Sequence, residues 1–105
     1  MKIRLEPQKT TLRISKAEFS ELIKVGMLSD SFALPGGQNI ELYVSLNDQP
    51  QYHYEKNQFH LKLPEKNILA YKPNKIGLSI YFQLDNKDHH HLLYEVDIKK
   101  KPLKK

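Results

Sequence analysis

The chain predicts an α+β fold: a small sandwich or barrel of mainly antiparallel strands, in two similar β-β-α-β-β halves with one clear helix and one short one. Three observations carry that prediction. A strand–turn–strand–helix pattern from Ile3 to Leu22 is written again from Tyr52 to Tyr71, aligning Glu6 with Glu55, Leu12 with Leu61, Arg13 with Lys62, Ile14 with Leu63 and Phe19 with Ile68. Apolar and polar residues elsewhere alternate in the two-residue rhythm of half-buried strands. A single segment carries full helix start and stop signals.

Lys2 to Glu6 alternates, with Ile3 and Leu5 on one face, and Pro7-Gln8-Lys9 turns the chain into a second strand, Thr10 to Ile14. Ser15-Lys16-Ala17-Glu18 is a capping box, in which the Ser15 hydroxyl accepts from the Glu18 N–H and the Glu18 carboxylate reaches back to the Ser15 N–H. Ile14 and Phe19 fall at the positions of a hydrophobic staple, Phe19, Leu22 and Ile23 make a helical stripe, and Gly26 stops it. The helix therefore runs from about Lys16 to Val25. Met27 to Leu34 reads as a strand despite Ser29-Asp30-Ser31. Pro35-Gly36-Gly37-Gln38 is a turn, and Asn39 to Leu46 is a strand with Ile40, Leu42, Val44 and Leu46 on one face.

Asn47-Asp48-Gln49-Pro50 joins the halves, which span about 1–46 and 51–98. Gln51 to Glu55 and Gln58 to Leu63 are strands around a Lys56-Asn57 turn. Pro64 suits the first turn of a short helix over about 64–71, and Pro73 limits it. Ile76 to Leu84 and His89 to Ile98 form the last hairpin, around Asp85-Asn86-Lys87-Asp88.

At 105 residues the chain is expected to form a single compact domain over 1–98, followed by a disordered lysine-rich tail, 99–105. The net charge of +5 belongs to that tail: Lys99, Lys100, Lys101, Lys104 and Lys105 are five of 17 basic residues, and the others balance 12 acidic ones. With no cysteine, disulfides and thiolate chemistry are excluded. The start lacks the apolar stretch of a secretion signal and no run is long enough to span a bilayer, so a soluble, cytoplasmic protein is the default expectation.

No constellation names a catalytic chemistry. Consecutive strand residues alternate faces, so of His89, His90 and His91 only His89 and His91 can share an ion, and they are the metal candidates. Tyr52 and Tyr54 share one strand face, where tyrosines either stack on a partner or fill a small core. With Lys99, Lys100 and Lys101 they are the candidate binding residues. Glu18 is accounted for by capping, and Glu95 and Asp97 read as solvent-facing. Gly36-Gly37 lacks the lysine and helix start of a phosphate loop.

Lys2-Ile3-Arg4-Leu5, the run Leu12-Arg13-Ile14-Ser15-Lys16-Ala17-Glu18-Phe19, Asn57 to Pro64, Lys75-Ile76-Gly77 and Leu92 to Asp97 together resemble a family of small bacterial proteins of unknown function. The resemblance spans most of residues 1–98 and departs at the end, where Lys99–Lys105 replace an acidic, cysteine-containing segment. It implies a fold and brings no catalytic residues with it. The expected function is a small non-enzymatic protein-binding or accessory module that needs no cofactor, with a protein partner or self-association through a sheet face or edge. The alternatives are nucleic-acid binding through the tail and a tyrosine-bearing face, and histidine-based metal binding.

Overall fold

The computed structural model describes residues 1–83 and 89–97, the side chains of Gln83 and His89 excepted. In chain order the elements are β1 (Lys2–Glu6), β2 (Lys9–Ile14), α1 (Lys16–Val25), β3 (Met27–Ala33), β4 (Asn39–Asn47), β5 (Gln51–Glu55), β6 (Gln58–Pro64), α2 (Glu65–Ala70), β7 (Leu78–Gln83) and β8 (His89–Val96).

Local chemistry accounts for the boundaries. Ser15 and Glu18 close both bonds of the capping box, at 3.1 and 2.8 Å, and Gly26 ends α1 in the left-handed region at φ 88°. Lys56 and Asn57 both adopt positive φ, as a tight two-residue hairpin turn requires. In the first hairpin Pro7 fixes a negative φ, so only Gln8 is left-handed, at φ 60°. The expected strand from Ile76 begins instead at Leu78, because Gly77 bends the chain at φ 86° and leaves Ile76 82% exposed. The last strand ends at Val96, while Ile98 and the tail lie outside the described residues.

The strands form two four-stranded sheets, ordered β1-β2-β8-β7 and β3-β4-β6-β5. The halves do have the same element order. They do not each form a sheet of their own, however. Each sheet takes the first hairpin of one half and the second hairpin of the other. The joining pairs, β2 with β8 and β4 with β6, are parallel, whereas the other pairs are antiparallel. This exchange follows from the helices: each interrupts its half between hairpins and carries the chain from one sheet to the other.

The core lies between the sheets. Leu12, Ile14, Leu92, Tyr94 and Val96 face it from the first sheet and Leu42, Val44, Leu61 and Leu63 from the second, with Leu22 of α1 and Ile68 of α2 completing it. Each buried leucine contributes roughly 1.5–3 kcal/mol. Phe19 meets Tyr71 edge to face at 6.2 Å, and Tyr71 meets Tyr94 in the same way at 5.6 Å. Among the described residues no helix is long and apolar enough to cross a membrane.

Candidate binding edge and the residues around it

The exchanged hairpins leave four edge strands: β1 and β7 in one sheet, β3 and β5 in the other. An open edge offers backbone N–H and C=O groups to another chain, and charged residues are the common guard against it. β1 carries Lys2, Arg4 and Glu6, β3 carries Asp30, and β5 carries Glu55. β7, Leu-Ser-Ile-Tyr-Phe-Gln, carries no charge.

Register makes the comparison specific. Thr10 of β2 corresponds to Phe59 of β6; Leu92 lies beside Thr10 and Leu42 beside Phe59; Ile80 lies beside Leu92 and Asp30 beside Leu42. Asp30 and Ile80 are therefore equivalent positions. Asp30 Oδ2 lies 3.3 Å from the Met1 ammonium, which donates to Glu18 Oε2 at 2.8 Å. Desolvation alone raises the Glu18 pKa, but the hydrogen bonds from Met1 and Ser15 outweigh it and hold the carboxyl below its ordinary value. The Ser31 N–H, first, and the Met1 ammonium lower Asp30 likewise. In the other half Ile80 borders an open groove of about 370 Å³, which runs between Ser79, Ile80 and Tyr81 on β7 and Asp48, Pro50 and Asn67 opposite. Ile80 is 4% exposed, so it forms the apolar floor of the edge, whereas Tyr81 is 58% exposed.

The outward row beside the groove is ordered. His91 Nε2 and Ser79 Oγ are 3.0 Å apart, and the His91 ring stacks on Tyr81 at 4.8 Å with planes 15° apart. His91, one of the two metal candidates, thus already has partners, and the His89 side chain lies outside the described ones. A second outward stack, Tyr43 on His60 at 5.0 Å, crosses the other sheet, with His53 opposite His60. Among the described residues no group of three or more His, Cys, Asp or Glu is placed to hold a metal ion.

Tyr52 and Tyr54 do share a face, and it is the inner one. Tyr52 lies beside Leu61 and Tyr54 beside Phe59, which point into the core, so this row offers no open platform for stacking bases. Tyr54 stands at the rim, its ring 4.6 Å from that of Phe59. The Tyr52 hydroxyl is 3.0 Å from Thr10 Oγ1, which is 2.7 Å from His90 Nε2. Neither Thr10 nor His90 was a candidate from the sequence. For His90 a signal existed: it shares parity with Leu92, Tyr94 and Val96, the core row of its strand. Lys99, Lys100 and Lys101 lie outside the described residues.

No curated protein and no solved structure matches the chain. A family model does match, over residues 1–100, and its description is "Family of unknown function (DUF7009)". The chain, on residues 1–100, belongs to that family of unknown function.

Proposed function

We propose that the protein is a non-enzymatic binding module that accepts an extended polypeptide strand along the edge of β7. One observation carries this reading: β7 is the edge strand without a charged residue, although its counterpart β3 has Asp30 at the position of Ile80. Strand addition draws affinity from backbone hydrogen bonds and specificity from alternate side chains. The groove supplies both elements, an uncharged strand edge on one side and the Asp48–Pro50 segment on the other. Panning displayed random dodecapeptides over the protein tests the reading, with the Ser79→Lys/Tyr81→Lys double variant as counter-selection. Peptides that bind the native chain and not the variant support it. Selection that fails to distinguish the two contradicts it.

A second reading, single-stranded nucleic acid on the outer face of the first sheet, is favoured by a different observation. Lys2, Arg4, Lys9 and Arg13 occupy outward positions there, in the same sheet as the Tyr81–His91 stack. Arg13 is already engaged with Asp97, at 3.3 Å. This reading requires oligonucleotide affinity that falls steeply with salt, with a slope reduced in Arg4→Gln/Lys9→Gln.

A further inference from the structure

We propose that Thr10, Tyr52 and His90 form a pH-sensitive latch between the two sheets, and that opening it loosens the groove beside β7. The second clause rests on the strand-binding reading above; the first does not.

Thr10 and His90 belong to the first sheet, on β2 and β8, and Tyr52 belongs to the second, on β5. The Thr10 hydroxyl is fully buried and has both partners within hydrogen-bond distance, 3.0 Å to Tyr52 and 2.7 Å to His90. The Tyr52 ring meets His90 edge to face at 5.0 Å and Phe82 at 5.4 Å. The fold does not need a polar corner for its architecture. At the equivalent corner of the fold the positions are Phe59 for Thr10, Ile3 for Tyr52 and Ile40 for His90, all apolar.

A threonine hydroxyl has one proton to give, and that sets the chemistry. With neutral His90, the Tyr52 O–H donates to Thr10 and the Thr10 O–H donates to His90 Nε2, so each donor has an acceptor. When His90 takes a proton, its Nε2–H donates to Thr10. The Thr10 and Tyr52 protons then compete for the single contact left between the two hydroxyls, and one of them loses its acceptor. The same step places a cation against Phe82, which lies opposite His90 on β7. The titratable groups facing His90 among the described residues are Tyr52 from β5 and His91 on its own strand; β2 and β7 present Thr10 and Phe82. None is an anion that would compensate the charge. Burial, with His91 adding to it, holds the His90 imidazole below its ordinary value of 6.5. The closed latch thus favours neutral His90, and falling pH favours the open state.

Both walls of the groove are tied to this latch. Tyr52 follows Pro50 by two residues, and Phe82 continues the strand that carries Ser79, Ile80 and Tyr81.

The test uses the full chain and two readouts. Imidazole NMR gives the His90 pKa, and amide exchange at His53, the residue after Tyr52 and opposite His60 in the hairpin, reports the latch without any ligand, corrected for intrinsic exchange rates. The proposal expects a His90 pKa below 6.5 and His53 exchange that speeds up as pH falls, with no such change in His90→Gln. A His90 pKa at or above that value, or His53 exchange indifferent to pH, overturns the latch. Affinity for a display-selected peptide should fall between about pH 7.5 and about pH 5.5, the range in which a histidine charges, and stay level in His90→Gln. A latch that opens while peptide affinity holds overturns the coupling alone. Should His90→Gln not fold, Tyr52→Phe serves instead, because it deletes the hydroxyl that crosses between the sheets. Absence of any selected peptide overturns the strand-binding reading and the coupling with it, leaving the latch to the exchange data.

Discussion

Asp30 on β3 and Ile80 on β7 occupy equivalent places in the two halves of the fold, one charged and one apolar. The residues around them differ in the same sense. Glu18 and Met1 stand beside Asp30, whereas Asn67 and Pro50, their counterparts by position, line the groove at Ile80. The matching element order of the halves thus allows a direct comparison: one edge is closed by an ammonium held between two carboxylates, and the other is neutral and borders open space.

The double variant Ser79→Lys/Tyr81→Lys should abolish strand binding with little effect on folding. Both side chains are exposed on the outward row, so the cost is limited to their contacts with His91, cross-strand pairs worth roughly 0.2–1 kcal/mol each. Urea unfolding of the variant beside the native chain checks this, and a small drop in midpoint with the cooperative transition kept is the expected result.

Tyr94→Phe should leave stability unchanged or raise it, by up to about 1–3 kcal/mol, the desolvation cost of an unsatisfied buried polar group. The Tyr94 side chain is fully buried and its hydroxyl has no hydrogen-bond partner among the described residues. Burial also pushes its pKa well above the ordinary tyrosine value. A loss of stability in denaturant would mean that the hydroxyl has a partner after all.

Gly77→Ala should cost more than Gly26→Ala. Both glycines have positive φ, so both changes introduce backbone strain of about 1–3 kcal/mol. A Cβ at Gly26 meets nothing within 4 Å, whereas at Gly77 it lies 2.9 Å from the Tyr94 carbonyl oxygen. Because that neighbour is backbone of a central strand, relieving the clash means displacing β8 or the Gly77 segment itself. Thermal melts of the two variants give the order directly.

Ser15→Ala should destabilise the protein by about 1 kcal/mol through loss of the α1 cap. Glu18 adds a pH signature. Its pKa is lowered in the folded state, so its contribution is present above the ordinary value of 4.5 and is lost as pH falls through the folded one. In Glu18→Gln the acid side of the stability profile should flatten, as a denaturant series across that range will show.

Local elements were legible because their signals are local. Ser15, Glu18 and Gly26 state where α1 begins and ends, and the alternation of Ile40, Leu42, Val44 and Leu46 states which face of β4 is buried. The pairing of β2 with β8 was not legible. It joins residues from opposite ends of the chain, and alternation reveals a strand's faces without naming its neighbour. Tyr52 shows the same limit, since its inward direction depends on its register beside Leu61 of β6. The groove brings Asp48 and Pro50 against Ser79 to Tyr81, segments that no motif connects. The uncharged character of β7 was visible in its residues, but its position at an edge was not.

The most direct test of strand addition is amide hydrogen exchange along all four edge strands, with and without a display-selected peptide. The account predicts new protection of alternate amides on β7, none on β3, and loss of the effect in Ser79→Lys/Tyr81→Lys. Protection of β1, β3 or β5 in place of β7, or peptide binding with no edge protected, would contradict it.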